Sequence, residues 1–574
     1  YQSNALMALA KSRKLNPRQL ATDVVAKLDV SDVCEKVEIA GAGFLNFRLK
    51  NSILTHSLEA ATRGEHLFFE RVGQPSRLSP SEENKKLETG ATPVLRARTV
   101  VIDFSSPNVA KPMHVGHIRS TGIGDALQRT LRLLGHRVIS DNHIGDWGTQ
   151  FGKLLLGWKQ ILNRDELERD AIAELERLYK IINAECDANP ARLEEAKSEL
   201  VKLQAGDPEN SSIWKEMIRL SQIQFDTIYA RLGVKFDFAL GESFYNPWLG
   251  EVVSDLLARI IARESEGAVG VFSDGSLPPK EDPFLVHRDG EWVLDPALVR
   301  KSDGGFNYTT TDLATVDYRL KTWSPDEIVY VVDDRQSGHF KKLFLIFARW
   351  KPDAAKTTKL VHVGFGKILG DDGRPFKTRS GDTVKLGDLL DEAVERAFKI
   401  VSEKSLELPE AQRREIARVI GLGAVKYADL LPNRQSDYIF NWDKMLALQG
   451  NTAPYLQYAY ARIRSIFRKA ETESALRTPH SAISLAAPEE FALAKHLLNF
   501  GLTLEAVAEE YRPNFLCNYL YELAGRFTSF YENCPVLKAD NAATRDSRLA
   551  LCDLAARVLK QGLDVLGIEV VEQM

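Results

Sequence analysis

The chain has 574 residues, 44% of them hydrophobic, with 75 Lys and Arg against 79 Asp and Glu and a formal net charge of −4. That length exceeds what one core organises, so about three or four domains are expected, and the apolar content is enough to bury them. The near-neutral balance excludes a globally basic nucleic-acid binder and leaves room only for a local basic patch. No apolar run approaches the ~20 residues that span a bilayer, and no stretch reads as a signal peptide. The five cysteines (Cys34, Cys186, Cys517, Cys534, Cys552) form no C-x-x-C pair, which argues against zinc and suits a reducing cytoplasm.

In chain order, helix-like stretches over Ala5–Lys11 and Pro17–Leu28 precede Val37–Leu49, where Gly41 and Gly43 mark a hairpin between two strands. Residues 1–72 read as a small α/β appendage, either a structural cap or a binding domain. The sequence opens at Tyr1, already in helix-like pattern, so an initial piece is expected to be missing. Residues 73–92, rich in Ser, Pro, Glu and Lys, read as a mobile linker.

Thr99–Phe104 is a short β-branched strand, and Pro107 and Pro112 keep the following residues extended. Helix then begins near His114: Ile123, Leu127, Leu131 and Leu134 recur at helical spacing, Gly135 ends the run, and Val138-Ile139 opens another strand. At such a helix start, unpaired amides and the dipole attract anions, and Gly116 lets a nucleotide lie against bare backbone. His114 and His117, side by side on the first turn, can hydrogen-bond phosphate oxygens that gain charge as pyrophosphate leaves. An isolated H-x-x-H can equally cap a helix or bind metal. Here no second histidine pair sits at ligand spacing.

Residues 93–161 therefore read as the first half of a Rossmann-type parallel sheet. Residues 162–300 hold charged amphipathic helices, broken at Gly206-Asp207-Pro208, and then a short glycine-punctuated β region over Gly267–Val299. Residues 301–412 restore the sheet with buried-type strands at Ile328–Val332 and Leu360–Val363 around an apolar helix. Within Asp303–Asp312 a strand gives way to a helix, and Tyr308 and Asp312 share one face. They could grip a guanidinium, or Thr309 and Asp312 could close the helix start as a capping box; the residues alone leave both open. Gly366–Gly381 is a glycine- and lysine-rich loop, a solvated turn or a phosphate arm. Residues 413–574 are almost wholly helical, with aromatics mostly at core positions. Arg462, Arg464, Arg468 and Lys469 form a basic run, either a solvated face or a contact for RNA phosphates.

His114-Val115-Gly116-His117 resembles the HIGH signature of class I aminoacyl-tRNA synthetases. Its flank from Phe104, together with Asp141–Gly152, resembles arginyl-tRNA synthetases, and the likeness continues in order to Met574. This implies a multidomain α/β fold: a Rossmann-type sheet with insertions, an N-terminal α/β domain touching the tRNA elbow, and an all-α anticodon-binding bundle. It further implies that ATP activates L-arginine to an adenylate, with Mg²⁺ accompanying ATP, and that the acyl group passes to the terminal ribose of tRNA(Arg). Activation is expected to wait for tRNA.

By resemblance, Tyr308 and Asp312 bind the substrate side chain, and Glu242 is a further carboxylate for it. Asp103, Ser106, Asn108 and Gln336 face the amino and carboxylate ends. His114, Gly116, His117 and His339 lie at the nucleotide. The Gly366–Gly381 loop takes the KMSKS position but lacks its later lysine, having Phe376–Ser380 there; Lys377 and Arg379, with Lys111 beside the signature supplying the missing charge, are then the pyrophosphate clamps. A cytoplasmic monomer without membrane contact is expected. The rival readings are a small nucleotidylyltransferase, which would need neither this length nor a bundle, and a catalytically silent RNA-binding relative.

Overall fold

The computed structural model describes residues 2–64, 97–376, 384–469 and 483–574. The expected linker over 73–92, Lys377 and Arg379 lie outside the described residues. At the amino end, helices Ala5–Arg13 and Pro17–Val25 lie on an antiparallel sheet of Gln2–Ser3, Phe44–Leu49 and Cys34–Ala40. Asn16 caps the second helix by accepting from the amides of Arg18 and Gln19, with Pro17 preset at its first position. A third helix, Asn51–Thr62, carries the chain onto the C-terminal helices, where Glu59 accepts the Ile483 amide at 3.0 Å.

The central sheet is parallel, in the order Lys359–His362, Glu327–Val331, Thr99–Phe104, Arg137–Asp141. Alternation of side chains assigns its two faces. Val100, Ile102, Phe104, Val329 and Val331 join one hydrophobic cluster with Ile123 and Leu127 of the helix Gly116–Leu133. Val101, Ile139, Ile328 and Tyr330 join a second, with Leu313 and Leu343 of the helices Tyr308–Trp323 and Ser337–Trp350. Both faces are covered, and Glu327–Val331 is wholly buried. The Gly116 helix approaches closely because Gly124 has no side chain: a Cβ there would come within 2.2 Å of the Phe104 ring.

Between the sheet's halves stand four insertion helices, Arg164–Arg169, Ala171–Ala188, Pro190–Gln204 and Pro208–Leu232, and then five short strands from Ala262 to Arg300. From Leu386 the chain is mainly helical, through Glu410–Leu430, Ala453–Lys469, Asn514–Asn533 and Ala542–Val565. One detail departs from a clean division at 413. Ile368–Leu369, after the fourth strand, pairs in parallel with Tyr438–Ile439, so the chain beyond 413 returns to the nucleotide fold. A two-residue pairing leaves no periodic signature in sequence.

The bundle aromatics are mainly core: Tyr460, Phe467, Tyr511, Tyr519, Phe527 and Phe530 are buried, whereas Tyr458 and Tyr521 are exposed. The basic run is partly engaged. Arg464 and Arg468 bond Glu572 at 2.9 and 2.8 Å, and Arg462 lies over the Tyr531 ring.

Candidate active site

The Thr99, Arg137 and Glu327 strands end on the same edge, flanking the point where strand order reverses and an α/β sheet opens a crevice. The turn leaving Thr99–Phe104 is more contorted than the prolines imply. Ser105, Ser106 and Ala110 all have positive φ, at 74°, 48° and 61°, a region that disfavours side chains. Hydrogen bonds hold it there. The Ser105 amide donates to Ser120 Oγ (2.8 Å), the Ser106 amide to Asn142 Oδ1 (3.0 Å), and the Ala110 amide to Ser221 Oγ (2.9 Å). Buried Tyr229 joins Ser105 Oγ at 2.8 Å and receives Asn142 Nδ2 at 3.1 Å. Ser221 and Tyr229 belong to the insertion helix Pro208–Leu232, so the inner face of that insertion buttresses the crevice.

His114 and His117 stand together, ring centroids 4.0 Å apart. The helix proper starts at Gly116, and its first amides are not free as expected from sequence. Val115 N–H donates to Val384 O, Gly116 N–H to His114 Nδ1, His117 N–H to His114 O and Ile118 N–H to Val115 O. The tight first turn satisfies them locally, which leaves anion contact to the dipole and the imidazoles. Gly116 has a steric role besides: a Cβ would meet His114 Cε1 at 2.9 Å. The ring nitrogens are held locally. His114 Nδ1 accepts the Gly116 amide at 3.1 Å, so that ring carries its proton on Nε2, whereas His117 Nδ1 lies 3.0 Å from the His114 amide and 3.3 Å from the His114 carbonyl, an arrangement that suits either tautomer. Burial, then His114, pushes His117 down to about 3. Burial, then Arg335 and Lys111, lowers His114 below the usual imidazole value. Both are neutral at pH 7, and His114 presents an Nε2–H donor.

A cavity of about 230 Å³ lies against His114 and Gly116 and is lined also by Asp333, Arg335, Lys367 and Phe376. The cationic loop is thus anchored here at its start. Its far end returns to the same place: His114 bridges Lys385, and Leu386 N–H donates to Met113 O at 2.9 Å. Lys111 is exposed beside this pocket, its ammonium 5.1 Å from the Tyr179 ring of the insertion. Buried Arg119, one turn into the signature helix, donates to the carbonyls of Gly366 (3.0 Å) and Ser436 (3.1 Å) and pairs with buried Asp429 at 3.2 Å.

The acidic end is built from other segments. Asn307 caps the helix Tyr308–Trp323 through the Tyr308 amide, so Asp312 is not needed for capping. Its Oδ2 instead meets His339 Nε2 at 2.6 Å, and the His339 ring packs against Tyr308, centroids 4.8 Å apart. His339, expected at the nucleotide, lies on a helix that starts at Ser337 and turns its ring toward Asp312. Glu242 follows a loop held by Asp146, which accepts from Ser243 N and Oγ at 2.8 and 2.6 Å. Burial, with Asp312 and Asp146 nearby and only His143 opposing, raises the Glu242 carboxyl to about 7. Asn108 is exposed at the turn, bridged to Gly145, and Gln336 is exposed at the start of the Ser337 helix. Asp103 is 4% exposed; its Oδ1 receives the Ser106 hydroxyl at 3.2 Å and its Oδ2 receives Arg319 at 2.6 Å. It faces the crevice only through Ser106.

Arg335, Lys367, Asp146 and Tyr229 were not singled out from sequence. The first three lie inside recognisable motifs, but their roles come from packing across segments. Tyr229 sits in one of the charged amphipathic helices of residues 162–300, where nothing local marks it.

A parallel sheet carrying an imidazole pair and a doubly anchored cationic loop at its switch point defines a class I tRNA synthetase. The sequence matches the family described as "tRNA synthetases class I (R), catalytic domain" over residues 83–442, the "DALR anticodon binding domain" over 456–574, and the "Arginyl tRNA synthetase N terminal domain" over 1–49. Curated relatives named "Arginine--tRNA ligase" from Salmonella schwarzengrund and Enterobacter sp. (strain 638) are each 45% identical, covering 100% of this chain and 93% of their own. Among solved structures, arginyl-tRNA synthetase from Plasmodium falciparum superposes with a TM-score of 0.77 at 28% identity, over 100% of this chain and 93% of its own. That from Thermus thermophilus gives 0.77 at 25%, over 99% and 93%. The chain belongs to the arginyl-tRNA synthetases.

Proposed function

We propose that the crevice joins L-arginine to ATP and then to the 3′-terminal ribose of tRNA(Arg). The observation that carries this reading is the convergence, on one sheet edge, of the neutral imidazole pair, the base of the cationic loop and the Tyr308–Asp312–Glu242 cluster. The arginine carboxylate attacks the α-phosphate, forming arginyl-adenylate and releasing pyrophosphate; a ribose hydroxyl then takes the acyl group and AMP leaves. No protein nucleophile is required. The imidazoles of His114 and His117 donate to phosphate oxygens as charge develops, and Lys111, Lys377 and Arg379 neutralise the pyrophosphate. Arg335 and Lys367, which also line the cavity, add positive charge there. Mg²⁺ arrives on ATP. Asn108, Gln336 and Ser106, backed by Asp103, hold the amino and carboxylate ends. Exposed Tyr458 and Tyr521 are candidates to stack on anticodon bases.

Charging of total tRNA should proceed with arginine and not with lysine or citrulline, and arginine-dependent pyrophosphate exchange should require tRNA. Brisk exchange in RNA-free enzyme would remove the tRNA requirement; charging with citrulline as readily as arginine would remove the carboxylate pocket.

Glu242 adds a pH signature. A guanidinium stabilises its ionised form, so arginine binding at pH 7 should expel about half a proton, from a carboxyl half-protonated in the free enzyme. Arginine affinity should therefore weaken as pH falls below 7 and level off above it. Calorimetry in buffers of different ionisation enthalpy reads the proton directly, and Glu242→Gln should abolish its release. An unchanged release in that variant would place the proton elsewhere.

A further inference from the structure

We propose that His339 is a positioning residue for recognition of the arginine side chain. The inference rests on the reading of Asp312 as a guanidinium ligand. Asp312 and His339 belong to different helices, Tyr308–Trp323 and Ser337–Trp350, yet their side chains meet at 2.6 Å, His339 Nε2 on Asp312 Oδ2. The contact is sheltered, the two side chains being 11% and 24% exposed. A carboxylate held by one oxygen keeps a single rotamer, and the lone pairs it retains suit the planar fork of a guanidinium. The same imidazole meets the Tyr308 ring edge-on at 72°. Tyr308 is 59% exposed, and this contact supplies a wall that an exposed phenol would otherwise lack. One ring thereby orders both side chains that grip the substrate before it arrives, lowering the entropy lost on binding.

The test is steady-state aminoacylation by the full chain with tRNA, using His339→Ala and His339→Gln, each alone and with Asp312→Asn. His339→Ala should raise the arginine KM about 10–100-fold, the worth of a hydrogen bond to a charged group, with the ATP KM and kcat nearly unchanged. His339→Gln, which keeps an N–H donor near the Nε2 position, should recover most of that loss, and it carries the test should the alanine variant melt early. In the Asp312→Asn background the His339→Ala effect should shrink to about twofold or less, because the imidazole then reaches only a neutral amide oxygen and the carboxylate it orients is gone. A raised ATP KM with arginine unaffected would return His339 to the nucleotide, and an undiminished effect in the Asp312→Asn background would make it structural only. If Asp312→Asn alone leaves the arginine KM unmoved, the ligand reading of Asp312 fails, and the inference falls with it.

Discussion

Replacing Arg319 with methionine should lower the stability of the catalytic domain by about 3–5 kcal/mol, the loss that follows when one partner of a buried ion pair is removed. Arg319 is fully buried on the helix Tyr308–Trp323, and its Nη2 bonds Asp103 at 2.6 Å and Asp141 at 2.8 Å. Those carboxylates are paired positions on the two adjacent strands Thr99–Phe104 and Arg137–Asp141. Methionine matches much of the arginine stem but supplies no charge, leaving two like charges buried side by side. Denaturant unfolding at constant slope should report the loss as a lower midpoint. Adding Asp103→Asn and Asp141→Asn to the Arg319→Met chain should restore part of the stability, since the stranded charge is gone; no recovery would mean that lost packing against the Tyr330 ring, 5.5 Å from the guanidinium, dominates instead. Charging should fall further than stability accounts for. The same helix opens with Tyr308 and Asp312, and the same Asp103 holds Ser106, so Arg319 latches both halves of the proposed arginine pocket to the sheet.

The fold was legible wherever periodicity or motif carried it. The strand Thr99–Phe104 falls on its expected residues, and the helix expected from near His114 starts at Gly116 and follows its apolar spacing to Leu133. The parallel sheet follows from β-branched runs separated by helices, with right-handed crossovers expected. What escaped was set by pairs distant in sequence. Arg319 and Asp103 lie 216 positions apart, and Arg119 reaches Ser436 across 317. Each arginine reads locally as an unremarkable charged residue in a helix. The left-handed Ser105-Ser106 turn was hidden for another reason: Pro107 argues for extended backbone before it, and only the converging bonds from Ser120 and Asn142 override that preference. The Tyr308–Asp312 motif was visible, but the capping alternative for Asp312 fell away only when Asn307 proved to be the cap and His339 the neighbour of Asp312.

Asp312→Asn should reduce kcat/KM for arginine by about 10²–10³-fold, or roughly 3–4 kcal/mol of transition-state binding, while leaving the ATP KM near its original value. The substitution keeps shape and removes charge, so the pocket retains its volume and His339 retains an oxygen to bond. What disappears is the carboxylate proposed to face the guanidinium, and Glu242, raised to about 7, is only half ionised at neutral pH. Two consequences separate this account from simple damage to the helix. Discrimination against citrulline should narrow in the variant, since a neutral pocket no longer distinguishes urea from guanidinium by charge. The remaining activity should also depend more steeply on pH, rising as Glu242 ionises, because that carboxylate becomes the sole counter-charge. A variant losing arginine and ATP affinity in equal proportion, with citrulline discrimination intact, would mean that Asp312 organises the crevice without touching the substrate, and the guanidinium would then have to be sought at Glu242 and Asp146.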